Sequence, residues 1–332
     1  MFCSNFYYYY IRNLNWMFKR LLVIFCFFSI LSAQAQNFVR PNEWKKYRKE
    51  VYGGIGAANF LGDLGGLNKI GTDYSPVDLE FTETRTAFQL GYRYKLAKWF
   101  NLSTQFNYLI VRGDDKLTTE PFRNNRNLNF KSNIFELSGR IEFVYMANRV
   151  GHRYGIKRTL SRRMKNRSWD FTVFMGIGGF YFNPKARNIQ GQWVKLKPMH
   201  TEGQGLPDGP KQYSNYALTI PMGLAYRIYF NRKVCVGLEV NFRKTFTDYI
   251  DDASGVYYDK NAIGAAYGSQ AAYFADPSKV KNGQTDPADV ANNKPAQMRA
   301  DSKQKDAYMS LQLTVGYIIK QKRGKTRLRS KF

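Results

Sequence analysis

The stretch TAFQLGYRYKL, residues 86–96, decides the fold. Thr86, Phe88, Leu90, Tyr92, Tyr94 and Leu96 alternate with Ala87, Gln89, Gly91, Arg93 and Lys95. A period of two places the first set on one face of a β-strand and the second on the other. The pattern then recurs. Residues 102–110 set Leu102, Thr104, Phe106, Tyr108 and Ile110 against Ser103, Gln105, Asn107 and Leu109. Residues 135–145 set Phe135, Leu137, Ile141, Phe143 and Tyr145 against Glu136, Ser138, Arg140, Glu142 and Val144. Residues 169–181, 216–228, 234–242 and 307–319 continue the theme, and 51–61 is a glycine-rich first member. Eight runs of about 9–11 residues match the strands that cross a bilayer at a tilt.

Alternation alone leaves open which face is outside, and a soluble barrel would turn its apolar face inward. Three features favour the membrane arrangement. The apolar face carries about five bulky side chains per strand, more than the interior of an eight-stranded barrel holds. The other face offers small residues and both signs of charge: Arg93, Glu136, Arg140, Glu142, Glu239 and Arg243 are expected to pair as a charge network across a narrow lumen. Tyr94, Tyr145, Tyr226 and Tyr317 fall near one end of alternate strands, as interfacial aromatics do, although tyrosine is also simply a good strand former. The sequence thus predicts an all-β fold, an eight-stranded antiparallel outer-membrane β-barrel with long extracellular loops. Pro221, on the inward face, needs a local irregularity to absorb its missing N–H.

Residues 17–35, MFKRLLVIFCFFSILSAQA, read as an export signal: Lys19 and Arg20, an apolar core, and Ala33-Gln34-Ala35 for cleavage. The expected layout is an upstream region and signal at 1–35 with Met17 as the start, a periplasmic segment at 36–50, the barrel at 51–319, and a basic periplasmic tail at 320–332. Cys3 and Cys26 precede the cleavage point, which leaves Cys235 with no disulfide partner in the mature chain. Short turns near 97–100 and 231–233 lie at one barrel end, and long connections near 62–85, 113–129, 183–214 and 249–306 at the other. Outer-membrane barrels keep short turns in the periplasm, so both termini are expected there.

One connection on the short-turn side is long. Residues 147–168 carry Arg149, Arg153, Lys157, Arg158, Arg162, Arg163, Lys165 and Arg167 and no acid. The tail adds Lys322, Arg323, Lys325 and Arg327, again without an acid. The whole chain has a formal net charge of +26, and the part after residue 35 has +23. Of that, +21 falls in the segments expected in the periplasm, so the charge is directional. Export argues against nucleic acid as the partner. The cations either hug anionic lipid or dock an acidic periplasmic protein, with charge steering the encounter.

Catalysis and metal binding find little support. His152 and His200 lie away from strand faces at the membrane boundary, and neither has an evident nucleophile beside it. Asp248, Asp251, Asp252 and Asp259 cluster without the alternating spacing of a calcium loop and are expected to cap the strand end and pair with nearby cations. No cofactor, no metal and no enzymatic activity are expected.

FLGDL at 60–64, KTFTDYIDDASGVY at 244–257 and the AQAQ signal end resemble the PorG-like outer-membrane barrels of the Bacteroidetes type IX secretion system, over roughly residues 50–320. The resemblance implies a structural role beside a periplasmic ring of PorK- and PorN-type proteins, in protein secretion and, in gliding species, gliding motility. The cationic residues above are then the expected ring contacts, a placement that comes from charge and topology. The alternative is a free-standing barrel that binds ligands or host molecules through its long loops.

Overall fold

The computed structural model describes residues 43–62, 64, 81–118, 121–147, 169–230, 233–278, 298–302 and 304–321. Its strands are β1 (Lys49–Leu61), β2 (Arg85–Lys95), β3 (Phe100–Asp114), β4 (Asn129–Ala147), β5 (Trp169–Arg187), β6 (Trp193–Lys195), β7 (Tyr216–Tyr229), β8 (Val234–Thr245) and β9 (Ala307–Ile319). All pairings are antiparallel. The order β4-β3-β2-β1-β9-β8-β7-β5 closes on itself through β4–β5, giving an eight-stranded barrel, and β6 adds to β5 only outside the closed wall. Among the described residues no helix is long and apolar enough to cross a membrane.

Side chains alternate as the period of two requires. The outward face exposes Ile55, Leu90, Phe106, Leu137, Ile141, Met175, Ile177, Leu218, Leu238, Leu313 and Val315, while Gln105, Asn107, Glu136, Arg140, Glu142, Asn241, Arg243 and Gln312 are buried inside. A soluble barrel has the opposite polarity. Apolar outside and polar inside is the wall of an outer-membrane β-barrel.

Two aromatic belts bound the apolar band. Near the tight-turn end, Tyr145, Trp169 and Tyr226 follow one another at ring separations of 6.3 and 5.7 Å. Toward the other end Phe88, Tyr108, Phe135, Tyr181 and Tyr216 are successive cross-strand partners over five strands, an inclined row that climbs the tilted wall with ring centroids 4.9–6.5 Å apart. On β4 the belts lie at Phe135 and Tyr145. Ten residues of strand tilted near 40° rise about 26 Å along the barrel axis, the height of the apolar band of such barrels.

The strands run longer than the alternation alone suggested. β4 and β5 have 19 residues each, and their extra length lies at the loop end. β1 begins at Lys49, two residues before the expected boundary, because Glu50 points into the lumen and pairs with Arg93. At Pro221 the β5–β7 ladder skips the pairs opposite Gly176 and Ile177 and resumes at Gly178↔Thr219. That gap is the irregularity a proline inside the wall requires.

Candidate functional site

Three regions of the barrel carry chemistry: the lumen, the cap of loops above it, and the tight-turn end below. The lumen is filled. Near the tight-turn end Arg93 donates to Glu50 at 2.5 Å and through Nε to Glu142 at 2.6 Å. Arg227 donates to Asp170 at 2.8 Å, and the Tyr229 hydroxyl donates to the same carboxylate. One layer up, Arg140 donates to Glu239 at 2.6 Å, to the Tyr52 hydroxyl at 3.0 Å and to Glu142 at 3.3 Å. Tyr52 lies over its cross-strand partner Gly91, where a Cβ would sit 2.2 Å from the ring, so only glycine admits it. Above an amide layer of Gln89, Gln105 and Asn107, Arg243 sits 2.5 Å from Glu136, which also accepts from the Tyr308 hydroxyl at 3.1 Å. Phe60, Phe130, Phe180, Phe182, Tyr213 and Ile250 then close the loop end with an apolar plug.

The arrangement is physically demanding. Buried guanidinium and carboxylate groups are tolerable only when each finds partners, because an unpaired buried charge costs several kcal/mol. Glu50, Glu136, Glu142, Asp170 and Glu239 face Arg93, Arg140, Arg227 and Arg243, and Lys95 shares their inward parity at the tight-turn mouth. Opposite charges are therefore matched, and interlocked side chains occupy the space that a diffusion path would need.

The described parts of the loops form a cap. Asp115 accepts a fork from Arg126 at 2.8 and 2.9 Å, and Arg126 also donates to the Arg299 carbonyl at 2.7 Å. Arg299 in turn donates to Glu202 at 3.1 Å and to the Asp252 carbonyl at 2.6 Å, and Glu202 accepts from the Ser254 and Gly255 amides. Val256 and Met298 form a β-bridge. Helices α1 (Pro121–Arg126), α2 (Lys260–Tyr267) and α3 (Ser269–Ala275) belong to these loops, with Ile263, Ala271 and Ala275 as a small core of their own. Three connections distant in sequence thus share one buried network.

Within the cap, Asp252 accepts from the Thr201 hydroxyl at 2.6 Å and the Tyr213 hydroxyl at 2.5 Å. Burial pushes its carboxyl up to about 6, against the opposing pull of Arg299 and the two hydroxyl donors. Burial, with Asp252 beside it, holds Tyr213 well above the ordinary phenol range. Burial alone would weaken the charge on Arg126, yet Asp115 holds it above its ordinary range.

The residues singled out from sequence fall in different places. Arg93, Glu136, Arg140, Glu142, Glu239 and Arg243 all face the lumen and make the contacts above. Arg149, Arg153, Lys157, Arg158, Arg162, Arg163, Lys165, Arg167, Lys322, Arg323, Lys325 and Arg327 lie outside the described residues, as does His152. Their attachment points are described: 148–168 joins the end of β4 to the start of β5, and the tail follows β9, all at the tight-turn end. The four aspartates are committed to the loop structure. Asp248 accepts from Ser254, Asp251 from the Ala253 amide, and Asp259 caps α2. Asp252 takes two hydroxyls where cations were anticipated. His200 stacks on Tyr267 at 4.1 Å, and its Nδ1 lies 2.7 Å from the Gln204 carbonyl. Among the described residues no group of three His, Cys, Asp or Glu side chains comes together to hold a metal ion.

No protein-family model matches the chain, and no curated protein matches it. Among solved structures it is similar to Ail, the attachment invasion locus protein of Yersinia pestis, at 9% identity with a TM-score of 0.33 in complex with the heparin analogue sucrose octasulfate. A second structure of Ail gives 9% identity and a TM-score of 0.31. Each match covers 82% of this chain and 99% of Ail. The barrel assignment rests on the strand order and the polarity of its two faces.

Proposed function

We propose that this chain is a non-enzymatic, non-conducting outer-membrane scaffold of the type IX protein secretion machinery, with its tight-turn end and both termini in the periplasm. There it would organise a ring of PorK- and PorN-type proteins, and serve gliding in species that glide. What supports the reading is that both acid-free cationic stretches are joined to strand ends at one end of the barrel. Strands β4, β5 and β9 open on the same side as the tight turns. A filled lumen supports it as well, since a barrel without a path through it acts at its ends. Replacing Arg158, Arg162, Arg163 and Lys165 by Glu should leave the barrel folded and detach periplasmic partners. Recovery of the same crosslinked partners from native membranes would refute the docking role.

A second reading is favoured by the cap. Loops tied by Arg126, Arg299 and Glu202 present a fixed outer surface, as a barrel that binds ligands or host molecules would need. Deleting 280–297 separates the two, because it leaves α2, α3 and Arg299 in place. Normal secretion after that deletion supports the scaffold. Loss of secretion with normal barrel assembly supports the loop-centred reading.

A further inference from the structure

Beyond the upper aromatic belt β3, β4 and β5 continue and β6 joins them, so a four-stranded tongue rises from the wall. Across its outward face Arg112, Lys131, Lys185 and Lys195 are direct cross-strand partners in a single row. Strands about 4.8 Å apart spread these four cations over about 14 Å. Like charges placed directly opposite one another destabilise a sheet. Arg112 is answered by Glu83 at 3.0 Å and Asp114 at 3.5 Å. Lys131, Lys185 and Lys195 have no carboxylate within ion-pair distance among the described residues. Trp193 gathers the cations on this face: Arg187, Lys131 and Arg112 stand 4.9, 5.7 and 5.7 Å from its ring centre.

The place of the row along β4 and β5 is informative. It lies four residues beyond Phe135 on β4 and four beyond Tyr181 on β5. That is about 14 Å of strand, or about 10 Å along the barrel axis, which puts these cations at the outer edge of a polar headgroup layer about 5–8 Å deep. Directly below, the outer wall holds a groove of about 390 Å³ lined by Phe106, Phe135, Leu137, Gly179, Tyr181 and Leu218. Gly179 makes the dent, since a Cβ there would meet nothing within 4 Å, and its cross-strand partners Leu137 and Leu218 form the sides.

We propose that β3–β7 hold a phosphorylated lipid of the leaflet on the loop side, its phosphates on Lys131, Lys185 and Lys195 and an acyl chain in the Gly179 groove. The proposal rests on the membrane-spanning wall and is independent of any periplasmic partner. A soluble anion would have use for the lysines but not for an apolar groove lower on β4 and β5, the strands that carry Lys131 and Lys185.

The test uses the folded full chain, purified in detergent, stripped of lipid and titrated with diphosphorylated lipid A. Dephosphorylated lipid A and inositol hexakisphosphate serve as the other probes, native mass spectrometry as the readout, and heat-dependent gel mobility as the check on folding. Lipid A should bind at one site, and removing its phosphates should weaken binding. The triple variant Lys131→Gln, Lys185→Gln, Lys195→Gln should lose about 100-fold, from roughly fivefold per lysine near a charged lipid surface. Gly179→Leu should weaken lipid A binding at least tenfold and leave inositol hexakisphosphate unchanged. Equal binding of the dephosphorylated lipid would overturn the proposal. So would wild-type affinity in both variants, or a charge-only response in which Gly179→Leu has no effect.

Discussion

The lumen network makes a prediction whose size follows from its geometry. Arg140 bonds Glu239 at 2.6 Å and Glu142 at 3.3 Å, and both carboxylates are buried. Arg140→Met keeps much of the length of the side chain but leaves Glu239 without its cation. Stranding a buried charge this way costs about 3–5 kcal/mol. Glu239→Gln strands less, because Arg140 keeps Glu142 and the Tyr52 hydroxyl, so about 2–3 kcal/mol is expected. In the double variant neither charge is left alone, and the loss should be close to that of Arg140→Met alone or smaller. The coupling energy is then at least about 2 kcal/mol, well above the roughly 0.5 kcal/mol scatter of independent sites. The measurement is reversible urea unfolding of the barrel refolded into lipid vesicles, followed by tryptophan fluorescence and by heat-dependent gel mobility. Losses that simply add would mean that the pair does not hold the two walls together, and the account of a lumen of matched, interlocked charges would fail.

Two other outcomes follow from the wall and the cap. Ile177 and Ile189 are both 77% exposed, but Ile177 lies in the apolar band of β5 and Ile189 in the turn before β6. Ile177→Arg should cost about 2–4 kcal/mol in vesicles, whereas Ile189→Arg should cost less than about 0.5 kcal/mol; equal losses would contradict the placement of the band. In the cap, Asp252 is raised from 3.8 to about 6, so the closed cap gains from its protonated form. That contribution is full below about pH 4 and is lost as pH rises through 6, by on the order of 2–3 kcal/mol. Proteolysis of the loops, taken as a ratio to Asp252→Asn at each pH, should accelerate between pH 5 and 7.5, and a flat ratio would remove Asp252 as the cause. Asparagine suits the site sterically as well, since residue 252 has a φ of 66°.

The wall was legible because a period of two is a local property of the chain. The same locality explains what the sequence did not reveal. Phe88, Tyr108, Phe135, Tyr181 and Tyr216 fall at different offsets within their strands, and only the pairing register sets them side by side in one row. Alternation reads clearly as far as Phe135 and Tyr181, but beyond them Asn133, Lys131, Asn183 and Lys185 look like loop composition. Those positions became a tongue because β6 extends the sheet beside β5 and the cap covers its inner face, including Phe130, Phe182 and Ala186. The cap itself has no periodic signal. It is joined by contacts such as Arg126 to the Arg299 carbonyl, 173 residues apart, which no local pattern can announce.

The pairs inside the lumen also have a mechanical meaning. The Tyr308 hydroxyl on β9 reaches Glu136 on β4, four strands away in either direction round the ring, and Arg140 on β4 reaches Glu239 on β8. These side chains act as spokes. A hollow barrel under lateral load can flatten into an oval and absorb the strain, but a spoked one must tilt or turn as a unit. Force applied at the tight-turn rim would therefore arrive at the opposite rim as a displacement of the whole cap, with little lost on the way.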